Sequence, residues 1–184
     1  MSGHSKWAQI KHKKAATDAK KANVFSKISR LISIAAREKG EDPIANAKLR
    51  QAVAKAKEVN MPSENIERAI KKGAGAGEYV LEEFLYEAYG PGGVAILIEG
   101  ITDNKNRTSN EIKHLLLQHN AKWAEPGSVA WAFEKVPRDG ISEWSAKEYA
   151  KVETNEEDKK NLLKLFEALD EHDDVQEIYS NIKE

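Results

Sequence analysis

The clearest chemistry in this chain lies in its first thirty positions. Lys6, Lys11, Lys13, Lys14, Lys20, Lys21, Lys27 and Arg30 stand there against one acid, Asp18, with Trp7 and His12 among them. Cations neutralise phosphates and flat rings stack on bases, so the set suits a nucleic-acid backbone. On a helix Lys13, Lys20 and Lys27 share a face at seven-residue spacing, as do Lys14 and Lys21. Ala15, Ala16, Ala19 and Ala22 form the opposite, closely packable side. A solvated lysine face is the usual fate of such a run, but the scarcity of acids argues for a polyanionic ligand. Trp7 serves equally well as a stacking ring or as a core anchor.

Other candidate sites are weaker. Asp103-Asn104-Lys105-Asn106-Arg107-Thr108 falls between a strand end and a helix start, where Lys105, Arg107 and backbone N–H groups can hold a phosphate. A polar turn capped by Thr108 explains the same residues. The GPGG at 90–93 allows close approach of RNA, yet hairpin geometry alone accounts for Gly and Pro there. GAGAGEY at 73–79 is no dinucleotide loop, since no strand precedes it. His4, His12, His114, His119 and His172 are scattered without carboxylates at ligand spacing, so no metal is expected. Asp170, Glu171, Asp173 and Asp174 lack the glycine and ligand spacing of a calcium loop. No nucleophile set or isolated carboxylate pair stands out; neither an enzyme, a cofactor nor a small-molecule substrate is expected.

The charge is polarised. Residues 1–78 hold 17 Lys/Arg against 8 Asp/Glu, and residues 79–184 hold 12 against 22, which the net −1 conceals. One part is built to meet a polyanion and the other to stay clear of it. There are no cysteines, which excludes disulfides and thiolate chemistry. No apolar run approaches a membrane span, so no membrane partner is expected. The basic start is faintly like a transit peptide, but Arg and Ser are scarce, and a cytoplasmic protein is expected.

The elements that must position these residues change type midway. Phe25, Ile28, Leu31, Ile32 and Ala35 mark a helix stopped by Gly40; Leu49, Ala52, Val53, Ala56 and Val59 mark a second. Pro62 suits the first position of a third, with Ile66, Ala69 and Ile70 on its stripe and Gly73 ending it. GAGAG at 73–77 reads as a hinge. Beyond it Phe84, Tyr86 and Ala88 alternate, and VAILIEGI at 94–101 reads as a buried strand. Thr108 to Glu111 has capping-box spacing. Val129, Trp131 and Phe133 alternate as a strand, with a weaker one near 149–153. Asn155 caps a helix bearing Leu162, Leu165, Phe166 and Leu169, and Val175, Ile178 and Tyr179 close the chain as a strand. The expected fold is α+β: a basic helical bundle at 1–75, then an acidic domain at 76–184. That domain is ferredoxin-like, in split β-α-β-β-α-β order with one extra strand ahead of it.

GHSKWAQIKHKKAATDAKKANVFSKISRLI closely resembles the start of the YebC/PmpR family. The likeness continues in NMPSENIERAIKKGAG at 60–75, YEAYGPGGVAILIEGITDNKNRT at 86–108, GSVAWAFEK at 127–135 and EEDKKNLLKLFEALDEHDDVQEIYSN at 156–181. The family includes bacterial transcriptional regulators and the mitochondrial translational activator of cytochrome oxidase subunit one. Typical members resemble three-domain proteins, and here only residues 136–152 stand where the inserted domain would be. The resemblance implies a non-enzymatic nucleic-acid-binding regulator, with ribosomal RNA, tRNA or promoter DNA as partner and the ribosome as a further candidate. Lysine outnumbering arginine, and no evident recognition helix, lean toward RNA and translation. DNA binding at promoters is the alternative, and an acidic protein-interaction module over 153–177 is a third class.

Overall fold

The computed structural model describes residues 18–75, 80–138 and 141–183. The chain divides into two compact units. One reaches to Glu82 and takes in Pro137–Ile141; the other comprises Glu83–Val136 and Ser142–Glu184.

The first unit is built on α1 (Asp18–Lys39), α2 (Ala47–Glu58) and α3 (Ser63–Ala74). Ile28, Ile32, Ala35 and Ala36 of α1 meet Leu49, Ala52 and Ala56 of α2 and Ile66 and Ala69 of α3. Gly40 takes a φ of +91°, and its N–H reaches the Ala36 carbonyl at 2.9 Å, the left-handed stop expected of it. Asn46 then starts α2. Its Oδ1 accepts the Leu49 N–H at 3.0 Å, while Nδ2 donates to the carbonyls of Ala35 at 2.7 Å and Gly40 at 2.9 Å. One buried side chain thus caps α2 and closes the end of α1. Pro62 stands one residue before α3 rather than at its first helical position. Gly73 does not end α3 but lies inside it, because the absent side chain is needed for packing. A Cβ there would overlap the carbonyl group of Ser33.

The second unit orders β1 (Glu82–Tyr89), β2 (Ala95–Thr102), α4 (Lys105–Gln118), β3 (Lys122–Ala124), β4 (Phe133–Arg138), β5 (Ile141–Ala146), α5 (Glu156–Glu171) and β6 (Val175–Ser180). The main sheet runs β3-β1-β2-β6, and β4-β5 form a separate pair. β1 is antiparallel to β3, and β2 to β6. Ile96 and Ile98 of β2 pack with Ile112 and Leu116 of α4 and Leu162, Leu165 and Leu169 of α5. Ala95 and Leu97 pack with Val129, Ala132, Phe133 and Ala150. Cover on both faces is why β2 reads as an unbroken apolar run.

The fold is α+β, as the sequence predicts, but its strands differ in detail. Ala130–Ala132 form a 3₁₀ turn, and the strand begins only at Phe133. The cause is Glu87. Its carboxylate accepts the N–H groups of Gly127 at 2.6 Å, Val129 at 2.7 Å and Ala130 at 3.0 Å, leaving no ladder for that stretch. Residues 148–150 form another 3₁₀ turn, and the strand expected near 149–153 reduces to one bridge, Val152 to Ile182. The ferredoxin-like order is altered accordingly. β1 occupies the place beside β2, brought there by the tight Pro91–Gly93 turn in which Gly92 and Gly93 take φ of +72° and +73°. β3 then extends the sheet from β1, and only β4 and β5, the other two strands between α4 and α5, sit in their own sheet.

Candidate nucleic-acid interface

Helix α1 carries the described part of the basic tract, since it begins well before the Phe25 stripe. Lys20 and Lys21 are exposed on it, and Arg30 is half-buried. Lys27, expected on the same face as Lys20, is only 5% exposed. Val24 and Leu31, three residues before it and four after, both pack against the core, which puts Lys27 on the inner side of the helix. Ala22, assigned to the packed side, is exposed. Lys6, Trp7, Lys11, His12, Lys13 and Lys14 lie outside the described residues. Further cations close the helices: Arg37 and Lys39 in α1, Lys55 and Lys57 in α2, Lys71 and Lys72 in α3. Cations there complement the negative helix ends and need no ligand to explain them.

The 103–108 segment resolves into a clasp. Asn104, not Thr108, caps α4, its Oδ1 accepting the Arg107 N–H at 3.1 Å. Thr108 is buried within the helix, and its hydroxyl donates to Asp174 Oδ2 at 2.5 Å. Thr102 at the end of β2 donates to the same oxygen at 3.1 Å, and Arg107 Nη2 at 2.7 Å. Arg107 also pairs with Asp103 at 2.9 Å. The Asp174 bond above all holds its guanidinium charged well beyond the ordinary arginine range. Three carboxylates (Asp103, Glu111 and Asp174) surround this one guanidinium, so Arg107 is committed within the protein although its side chain is 41% exposed; Lys105 beside it is exposed as well.

Asp174 also belongs to the one group, among the described residues, whose spacing suits a metal: Glu111, His172 and Asp174 within 4.8 Å of each other. Both His172 nitrogens are engaged. Nε2 lies 2.8 Å from Glu111, and Nδ1 accepts the Asp174 N–H at 3.1 Å. Arg107 supplies the cation these carboxylates call for, which makes the group an ion-pair network.

Sequence reasoning missed a cluster of rings. Trp131 is 56% exposed and Tyr149 77% exposed, with Tyr89 also at the surface. Trp131 Nε1 and the Tyr89 hydroxyl both donate to the Ser128 carbonyl at 2.9 Å. Lys147 Nζ donates to the Trp131 carbonyl at 2.8 Å and stands 5.9 Å from the centre of the Tyr149 ring. The alternation of Val129, Trp131 and Phe133 pointed Trp131 into a sheet, and no local pattern revealed the 3₁₀ turn that turns it outward.

Fold and charge together define a two-unit α+β protein with an exposed, lysine-bearing helix in its helical unit. The family model described as the TACO1/YebC protein N-terminal domain matches residues 5–76, and that of the TACO1/YebC second and third domain matches 81–138 and 137–182. The chain belongs to the TACO1/YebC family. A "Probable transcriptional regulatory protein" of Pseudothermotoga lettingae is 41% identical over 238 residues, covering 100% of this chain and 94% of its own length. One of Desulfosudis oleivorans is 48% identical over 184 residues, covering 97% and 74%. The crystal structure of a conserved hypothetical protein from Aquifex aeolicus superposes with a TM-score of 0.83 at 34% identity, covering 97% of both chains. The alignment of 238 positions exceeds the 184 residues here, so that relative carries positions this short form lacks. The two pieces of the second model meet at 137–138, at the end of β4.

Proposed function

We propose that this chain is a non-enzymatic nucleic-acid-binding regulator of gene expression that grips phosphates through its lysine-rich N-terminal segment. The observation that carries this reading is the exposure of Lys20 and Lys21 on a helix whose apolar side is spent in the core. They continue a tract in which residues 6–21 hold six lysines against one acid. The contacting set is Lys6, Trp7, Lys11, His12, Lys13, Lys14, Lys20 and Lys21, with Arg30 at its border and Lys105 as an outlying cation. Lys27 and Arg107 drop out, one through burial and the other through its carboxylate partners.

RNA is the favoured ligand. Lysine provides point charges that follow backbone shape, whereas base-edge reading in a duplex calls for bidentate Arg, Asn or Gln. The role is then in translation, on ribosomal RNA or tRNA and with the ribosome as partner. The naming of the relatives as probable transcriptional regulators favours the second reading, binding of promoter DNA. Crosslinking in cells, followed by sequencing of both bound RNA and bound DNA, separates the two. Enrichment at defined ribosomal or transfer RNA positions is expected. Enrichment at promoters with ribosomal RNA at background would overturn the translation reading, and enrichment of neither would overturn both.

A further inference from the structure

We infer that Trp131 and Tyr149, with Lys147 between them, form a stacking platform for unpaired bases of a single-stranded nucleic acid; this rests on the nucleic-acid reading above. Single exposed rings are ordinary, but Tyr89 and Trp131 share the Ser128 carbonyl, and Lys147 links the Trp131 carbonyl to the Tyr149 ring; such grouping marks contact surfaces.

The bonding pattern selects the ligand. Tryptophan and tyrosine at protein interfaces commonly offer their polar edges to the partner. Here the indole N–H and the Tyr89 hydroxyl are both given to Ser128. What remains on offer is the flat face of Trp131, fixed in orientation by that bond. A base needs only a face, and every base has one. Bases within a duplex keep their faces covered, so the fit is to single strands. Lys147, held by the Trp131 carbonyl, places an ammonium beside the Tyr149 ring, where a stacked nucleotide would bring its phosphate. Glu148, the acid next to Tyr149, is tied to Lys151 at 2.6 Å and so does not cancel it.

The platform and the lysine tract should differ in salt response. Phosphate contacts release counterions and give affinity a steep salt slope, whereas stacking contributes nearly independently of salt.

The test uses the full chain, a labelled single-stranded RNA of about a dozen nucleotides and the duplex of the same sequence, with affinities read by fluorescence anisotropy at several salt concentrations. Trp131→Ala combined with Tyr149→Ala is expected to lower single-strand affinity about tenfold or more, leaving the salt slope and duplex affinity unchanged. Trp131→Phe, which keeps a ring face, should restore most of the loss. If the double variant unfolds, Tyr149→Ala alone removes a 77% exposed ring and should still cost several-fold. A folded variant that binds the single strand as tightly as the natural chain overturns the platform and leaves the nucleic-acid reading standing. Failure of the natural chain to bind either probe overturns both. A variant altered only in self-association, seen by sedimentation, would make the patch a protein interface and overturn the inference.

Discussion

Gly73 sets two effects of opposite sign against each other at one residue. Within a helix, Gly→Ala is ordinarily stabilising by about 1 kcal/mol through propensity. The added methyl would here overlap the Ser33 carbonyl oxygen, and overpacking against backbone costs about 1–3 kcal/mol or more. The overlap should win, so Gly73→Ala is expected to lower the thermal midpoint followed by circular dichroism; a raised midpoint would show that α1 and α3 can separate at no cost. Asn46→Ala tests the helix junction. It removes an N-cap and strips the donor from two carbonyls, for an expected loss of about 2 kcal/mol or more, read by urea unfolding. Neither the Gly73 contact with Ser33 nor the pair of Asn46 bonds back to Ala35 and Gly40 is legible in the sequence, whereas a cap such as Asn155 is, because the Asp158 N–H lies three residues on. Glu87 and Asp174 serve backbone and side-chain donors 40 to 72 residues away, and spacing alone cannot join them.

At the scale of elements, the helices and β2 announced themselves through their apolar periods, since each buries a continuous stripe or both faces. What failed were the short pieces on the other side of the sheet. There Glu87 and the 3₁₀ turns replace ladder bonds, and alternation of Val129, Trp131 and Phe133 arises without a strand. That side is pinned to β2 through Glu99, whose carboxylate accepts from Trp144 Nε1 at 2.8 Å and from the Tyr179 hydroxyl at 3.2 Å. Burial raises its pKa above the ordinary 4.5, with those two bonds and nearby Lys135 opposing the rise. The folded protein therefore holds a proton that the unfolded chain has already released. The stability this provides is complete below the ordinary value and is lost as pH rises through the raised one. Glu99→Gln keeps an acceptor for Trp144 and cannot ionise. Its midpoint relative to the natural chain should climb as pH rises from the ordinary carboxylate value through the raised one; a constant difference would mean that Glu99 ionises alike in the folded and unfolded states.

For the molecule as a whole, the question is whether its polarised charge is a binding device or only a distribution of solvated residues. The 17 Lys/Arg of residues 1–78 include helix-end cations that serve the helices, so total charge overstates the candidate surface. The tract ending in Lys20 and Lys21 is the part that helix ends do not explain, and it was legible from composition before any element was placed. Replacing Lys13, Lys14, Lys20 and Lys21 together by Glu separates the alternatives. If each meets one phosphate, affinity for RNA should fall, and the slope of log affinity against log salt should become shallower by roughly three. The fold should persist, because Lys20 and Lys21 are exposed and the three-helix core of Ile28, Ile32, Leu49 and Ile66 does not use them. The acidic second unit sharpens the test. Its net charge opposes a polyanion whichever lysines are present, so undiminished affinity in a folded variant would leave ring stacking at Trp131 and Tyr149 as the remaining grip, and the lysine tract would have to be abandoned.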